Sequence, residues 1–280
     1  MPPGIGIVAG GGELPALLAA ACRAAGRRVF LLALRDHADP DLARRAGADE
    51  HAEIRLGEAG KGVKLMKRAG VGQVVFCGHV SRPSLGELRP DFATIGMLAR
   101  IGRRAMGDDS LLRAIADVVT SEGFEVIGPL DIAPGLAAPE GVLTRQRPDE
   151  AARADIARGL EVTRHMGLCD VGQATVVQQG IVLAVEAIEG TDAMLQRAGT
   201  LRRKGTAGVM VKTAKPNQDM RLDVPTIGPV TIANAEAAGL RGIAIEAGRV
   251  LMLDRDRVVA EADRRGLFLV GVATGAAPST

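Results

Sequence analysis

Short aliphatic runs recur along the first half of the chain, and between them apolar positions return every three or four residues. Residues 5–9, 29–34, 73–77 and 124–127 are dominated by Val, Ile, Leu and Phe and read as buried strands. The stretches 14–25, 39–46, 58–69, 92–104 and 111–122 carry helical periodicity. Apolar strands without polar alternation, separated by helices, imply a parallel sheet covered on both faces. Residues 1–130 are therefore expected to form an α/β, Rossmann-like parallel-sheet domain.

The texture changes over residues 128–148, GPLDIAPGLAAPEGVLTRQRP, which hold four Pro and three Gly. Residues 131–148 are expected to be a linker stiffened by proline. Beyond it, 149–166 reads as an amphipathic helix with Asp149 and Glu150 at its start and Gly167 just past its end. The runs 174–178 and 181–187 flank Gln179-Gly180 as a β-hairpin. A helix at 192–198, a strand from Val209 and a helix after Pro229 follow. A second hairpin is expected from 242–245 and 249–253 around Ala247-Gly248, then a helix at 255–265 and a strand at 267–272. Residues 149–280 thus read as a second, mixed α/β domain of a different kind.

Composition narrows the classes of function. A chain of 280 residues suffices for one large or two ordinary domains. Five Phe and no Tyr or Trp leave few platforms for stacking single-stranded nucleic acid, and a net charge of +2 supplies no field for DNA. Nucleic acid is not an expected partner. Cys22, Cys77 and Cys169 form no CxxC pair and match no zinc spacing, so they read as reduced thiols of a cytoplasmic protein. The apolar segment 14–25 is shorter than the roughly 20 residues a bilayer requires. A soluble chain, or one resting on a membrane surface, is expected.

The densest chemistry lies at 209–228, VMVKTAKPNQDMRLDVPTIG. A strand-like run gives way to Lys212, Lys215, Gln218, Asp219, Arg221 and Asp223 before Pro225 and Thr226. Cations beside carboxylates on one irregular segment suit an anion held together with a divalent metal, which points to phosphate chemistry. The plain alternative is a surface ion-pair cluster. Gly10, Gly11 and Gly12 sit between the first strand and first helix, where backbone N–H groups can face a phosphate. Gly10 and Gly12 fit a dinucleotide fingerprint but Pro15 replaces its third glycine, so a tight turn without ligand stays open. Asp36, near the end of the second strand, stands where a ribose-binding acid could sit. Gly78, His79 and Ser81 follow another strand, with His79 readable as a base, a phosphate ligand or a plain turn residue. At 185–192, Thr191 or Asp192 suits a helix cap, whereas Glu189 before Gly190 has no such role.

Five blocks in order carry a family likeness: IVAGGGELP at 7–15, GHVSRP at 78–83, VGQATVV at 171–177, VEAIEGTDAM at 185–194 and KTAKPNQDMRLDVPTIGPVT at 212–231. Together they resemble the UDP-2,3-diacylglucosamine pyrophosphatase family of lipid A biosynthesis, over essentially the whole chain. The resemblance implies a Rossmann-like N-terminal domain and a C-terminal domain of unusual fold, with the substrate between them. It implies a magnesium-dependent hydrolase that converts UDP-2,3-diacylglucosamine into UMP and 2,3-diacylglucosamine 1-phosphate, lipid X. Asp223 is the implied essential acid, with Asp219 beside it as a second catalytic and metal-binding carboxylate. Gly10, Gly11, Gly12, Gly78, His79, Ser81, Gln173, Glu189, Thr191, Asp192, Lys212, Lys215, Gln218 and Thr226 are the implied substrate contacts. An enzyme acting at the cytoplasmic membrane surface is compatible with this, and a homodimer is the base-rate expectation. Two other readings stand beside it, an NAD(P)-dependent oxidoreductase built on the glycine turn and a non-catalytic nucleotide or lipid carrier.

Overall fold

In a computed structural model the chain is described over residues 4–80, 94 and 108–274. It divides into two compact units, one comprising Met1–Gly135 with Asp219–Asp223, the other Leu136–Gln218 with Val224–Thr280.

The first unit alternates strand and helix: β1 (Gly4–Ala9), α1 (Leu14–Ala24), β2 (Val29–Leu34), α2 (Leu42–Ala46), β3 (Glu50–Ile54), α3 (Ala59–Arg68), β4 (Val71–Cys77), α4 (Asp108–Ser121), β5 (Glu125–Val126) and the single turn α5 (Pro129–Ile132). The strands form one sheet in the order β3-β2-β1-β4-β5, and every pair is parallel. Phe30, Leu32 and Val74 pack with Met66, Val119 and Leu222 in its core. Leu222 explains why Asp219–Asp223 belongs here, because its side chain is buried in this core while the flanking chain lies in the other unit. Strand β3 escapes a hydrophobic-pattern search. Its sequence EHAEI buries only Ile54, as suits an edge strand that pairs with β2 alone. The helix expected over 92–104 falls outside the described residues except for Thr94.

The second unit contains β6 (Gly141–Val142), α6 (Glu150–Leu168), β7 (Ala174–Gln178), β8 (Ile181–Val185), α7 (Gly190–Thr200), β9 (Val209–Lys212), β10 (Thr226–Ile227), α8 (Pro229–Ala237), β11 (Gly242–Glu246), β12 (Leu251–Met252), α9 (Arg255–Arg264) and β13 (Phe268–Val272). Its main sheet runs β6-β13-β11-β9-β7-β8. Strands β13, β11 and β9 are mutually parallel, while β6, β7 and β8 pair antiparallel. Both faces are covered. Val209, Val211 and Ala244 meet Ala152 and Ile156 of α6. Met210, Ile243 and Ile245 face Met194, Leu195 and Ile232 of α7 and α8. The period of two along β9 therefore distributes its side chains between two cores.

Three expectations are corrected. The second hairpin, 242–245 with 249–253, does not exist. Strand β11 instead pairs in parallel with β9 and β13, and β12 pairs in parallel with β10. The burial of β11 is unbroken along its length, which marks a strand covered on both faces more than a hairpin arm. Helix α6 does not stop before Gly167 but continues through Leu168, and Gly167 is there because any Cβ would lie 2.7 Å from Pro216 Cδ. Gly141 and Val142, inside the proline-rich stretch, form a strand against β13.

The first hairpin, β7–β8, has a specific support. Gln179 and Gly180 both take positive φ, 53° and 76°, the signature of a two-residue type I′ turn. Asp155 on α6 is buried and accepts from the backbone N–H groups of both, at 3.1 Å and 2.6 Å. Asp155→Ala is expected to destabilise the protein by about 2 kcal/mol, as a charge-assisted acceptor for two turn amides is lost. Urea unfolding checks this, and an unchanged midpoint would show that the turn holds itself.

Candidate functional site

In the first unit the strand order reverses between β1 and β4, so the carboxyl ends of these strands open the crevice where such sheets bind ligands. The two turns singled out in the sequence meet there. Gly11 and His79 exchange backbone hydrogen bonds of 2.9 Å in both directions, and Gly10 N–H donates to Cys77 O at 2.9 Å. The approach demands glycine on both sides: a Cβ on Gly10 would lie 2.3 Å from His79 O, and one on Gly78 2.7 Å from Gly11 O, where φ is also 90°. Gly12 N–H points to Asp39 Oδ2 at 3.3 Å, and Asp39 in turn meets Arg45 at 2.5 Å. An internal carboxylate thus occupies an amide suited to an anion. His79 is exposed, and Ser81 lies outside the described residues.

The Asp219–Asp223 segment is a tight turn in which Leu222 N–H and Asp223 N–H both reach Asp219 O, at 3.0 Å and 3.3 Å. Arg221 grips the Asp219 carboxylate in bidentate fashion, Nε to Oδ1 at 3.0 Å and Nη2 to Oδ2 at 2.7 Å, and its N–H adds a third bond to Oδ1 at 3.0 Å. The Arg221 guanidinium holds the Asp219 carboxyl below the usual carboxylate range, and Asp219 raises Arg221 in return. Asp223 is half-buried on the same turn.

In the second unit, candidate residues converge on one end of the main sheet. Gln173 enters β7 there, Glu186 leaves β8, the 213–218 loop leaves β9, and Glu246 ends β11. Lys212, Lys215, Gln218, Glu186 and Glu246 are all buried. Lys212 Nζ donates to Thr191 Oγ1 at 2.6 Å, and Thr191 donates to Glu186 Oε1 at 2.8 Å. Lys215 Nζ is paired with Asp170, and Lys215 N–H donates to Gln218 Oε1 at 2.9 Å. The loop is tied down by Glu246, whose Oε2 accepts Ala214 N–H at 2.8 Å and whose Oε1 accepts Thr274 Oγ1 at 2.6 Å. Arg249 sits 3.5 Å from Glu246 and donates to Lys215 O at 3.3 Å.

The remaining candidates, Gln173 apart, have local partners. Glu189 is exposed and paired with Arg197 at 2.5 Å, which holds its carboxyl low. Asp192 accepts from Asn234 Nδ2 at 2.8 Å, and Thr226 Oγ1 donates to Val224 O at 2.9 Å. Gln173 has a buried Oε1 without a hydrogen-bond partner among the described residues. Lys212, Lys215, Gln218, Thr191 and Gln173 are therefore gathered at one sheet end, while Asp219 and Asp223 belong to the other unit. Sequence reasoning missed Asp170, Glu246 and Arg249. The one available signal was Glu246, an acid that closes the otherwise apolar run GIAIE.

A family model described as the LpxI N-terminal domain matches residues 4–136, and one described as the LpxI C-terminal domain matches residues 139–270. The UDP-2,3-diacylglucosamine pyrophosphatase LpxI of Caulobacter vibrioides is 45% identical over 275 residues, covering 96% of this chain and 97% of that protein. Among solved structures, that of gox2253 aligns over 97% of this chain and 90% of its own, at 14% identity and a TM-score of 0.32. A UDP-glucose-4-epimerase from Stenotrophomonas maltophila aligns over 98% and 79%, at 13% identity and a TM-score of 0.34. Neither structural likeness is close enough to bear on fold or chemistry.

The Asp219–Arg221 clasp gives a pH signature. A carboxyl whose folded pKa is depressed stabilises the fold above its unfolded value, ~3.9, and that stabilisation is lost as pH falls through the folded value. Asp219→Asn is expected to cost about 1 kcal/mol at pH 7 and to flatten the fall in stability at acid pH. Urea midpoints from pH 7 to pH 2.5 test it. Parallel curves for the two proteins would show that the clasp contributes nothing.

Proposed function

The chain belongs to the LpxI family, and from that premise we propose that it hydrolyses the pyrophosphate bond of UDP-2,3-diacylglucosamine. The products are UMP and 2,3-diacylglucosamine 1-phosphate, and the reaction serves lipid A biosynthesis. The supporting observation is end-to-end identity of 45% with a relative named for that activity. The nicotinamide and carrier readings gain nothing from this membership. The substrate carries two acyl chains, so the enzyme is proposed to work in the cytoplasm at the membrane surface. No helix among the described residues is long and apolar enough to cross a membrane.

Asp223 is the proposed catalytic acid, because it closes the QDMRLD stretch of the block that resembles the family and lies on the same turn as Asp219 and Arg221. Among the described residues no three His, Cys, Asp or Glu side chains gather as a metal cage. Magnesium does not require one, since it is commonly held by one or two carboxylates together with substrate phosphates and water. Asp223 fits that donor set. A magnesium ion held there would make bound water more acidic and offset charge on the displaced phosphate. Asp219 is the proposed second carboxylate, free to take part once Arg221 transfers its guanidinium to a phosphate oxygen. Lys212 and Lys215 are proposed to hold phosphate oxygens, with Gln218 fixing the loop that carries Lys215. The glycine turns at Gly10 and Gly78 are proposed to receive the nucleotide.

UMP release from UDP-2,3-diacylglucosamine, measured with and without EDTA, tests the reading. Asp223→Ala is expected to lower kcat by about a thousandfold or more with its melting transition intact, consistent with loss of several kcal/mol of transition-state stabilisation. EDTA is expected to stop the wild type and magnesium to restore it. No UMP release by wild type with added magnesium would overturn the assignment. Full activity in EDTA would remove the metal alone.

A further inference from the structure

The Lys212–Thr191–Glu186 cluster holds buried hydrogen-bonding capacity that the described residues leave unused. Lys212 is 5% exposed and Glu186 7%. Ala174 of β7 is the cross-strand partner of Lys212, and Ala174 O accepts Glu186 N–H at 2.8 Å. Directly paired residues share a face of a pleated sheet, so the ammonium and the carboxylate stand on one face, either side of a single methyl group. Thr191, in the first turn of α7, bridges them through its hydroxyl. Among the described residues Lys212 makes one of the three hydrogen bonds an ammonium can donate. Glu186 Oε2 is buried with no hydrogen-bond partner there. Native proteins rarely leave such an oxygen unmet, and a buried acceptor next to unused donors calls for a molecule that supplies both complements.

We propose that Glu186 accepts a hydrogen bond from a free hydroxyl of the substrate's glucosamine ring, while Lys212 takes an oxygen of the phosphate on the same sugar. The proposal rests on the pyrophosphatase reading above. Acylation at positions 2 and 3 leaves the hydroxyls at 4 and 6 as ring donors. A pyranose 1-phosphate carries an anion and a hydroxyl on one rigid body, the complement of an ammonium and a carboxylate set one hydroxyl apart. The ribose of the nucleotide offers similar groups. The turns suited to a nucleotide, however, are those of Gly10 and Gly78, in the other unit. Glu186 is thereby a specificity residue: it favours a sugar that presents a donor at this point over one that does not.

The test uses the full-length protein, with 2,3-diacylglucosamine 1-phosphate, its 4-deoxy and 6-deoxy analogues, and UMP as probes. Their affinities are measured by calorimetry for wild type, Glu186→Gln and Glu186→Ala, alongside kcat and KM for UMP release. Glu186→Gln keeps the volume and the acceptor for Thr191 and carries the test should the alanine variant fail to fold. The expected result is a loss of tenfold or more in sugar-phosphate affinity for both variants, with UMP affinity within twofold of wild type. One deoxy analogue should bind wild type as weakly as the parent binds the variants, and the substitutions should not weaken it further. Unchanged sugar-phosphate binding in the variants would overturn the proposal and leave Oε2 to an internal water. A loss confined to UMP would also overturn it, by placing the ribose there. If both deoxy analogues were as sensitive to substitution as the parent, a merely structural Glu186 would be shown. Wild type that neither binds the sugar phosphate nor releases UMP would overturn the pyrophosphatase reading itself.

Discussion

A charge taken out of water must be met by an opposite charge or by hydrogen bonds, and the open end of the second sheet is organised around that requirement. Two lysines and two glutamates are buried there. Glu246 is the member that ties down the loop carrying Lys215. Its two oxygens gather Ala214 N–H, Thr274 and Arg249, and Arg249 reaches on to the carbonyl of Lys215. A polar loop of this kind would ordinarily lie on the surface with its backbone in water. Here the Ala214 amide and the Lys215 carbonyl are met by one buried carboxylate and its guanidinium partner, and Gln173 O accepts Thr213 N–H, so Lys215 and Gln218 are held at fixed positions. The ordering cost of the loop is met by the fold before any ligand arrives, which is the condition for a site that positions a phosphate.

The same requirement separates the two halves of the segment that drew attention in the sequence. Lys212–Gln218 and Asp219–Asp223 are contiguous, and their residue types suggest one loop around one ligand. Packing assigns them to different units, because Leu222 is buried with Phe30, Val74 and Val119 in the core of the first unit. Asp219 is then neutralised locally by Arg221, two residues on. An apolar residue flanked by charges is easily overlooked when charges are being read for chemistry. In physical terms the buried area of Leu222 decides where the turn lies, and the carboxylates follow it.

What was legible in the sequence follows from which forces act locally. The strands β1 and β2 are apolar throughout and β9 and β11 are apolar up to their last residue, since both faces of their sheets are covered, and short runs of Val, Ile and Leu announce them. The Gln179-Gly180 turn was legible because a type I′ hairpin demands residues tolerant of positive φ. Strand β3 was not, as an edge strand with one buried side chain has no hydrophobic pattern to read. The false hairpin at 242–253 arose from the same local logic: two apolar runs around Ala247-Gly248 look like neighbours, and only the competition of β9 and β13 for the edges of β11 excludes it. Partners distant in sequence, such as Asp155 with the turn at 179–180 or Glu246 with Ala214, leave no local trace.

Candidate residues sort into two electrostatic kinds, and the distinction bears on chemistry. Glu189 and Asp219 are each matched by an arginine, and Lys215 by Asp170, so their charges are already met. Glu186 and Gln173 are not, since each keeps a buried oxygen unpaired among the described residues. A matched pair contributes to binding only after an exchange of partners, as in the transfer of Arg221 from Asp219 to a phosphate proposed above. An unpaired buried acceptor gains in full from the first donor that reaches it, because its desolvation has already been incurred on folding. Exchange is costly in the ground state and becomes favourable as charge develops on a phosphate, so the cations of such pairs, Arg221 and Lys215, suit stabilisation of a transition state. Residues of the second kind suit recognition of an unreacting part of the substrate, and their contribution appears in affinity and selectivity more than in turnover.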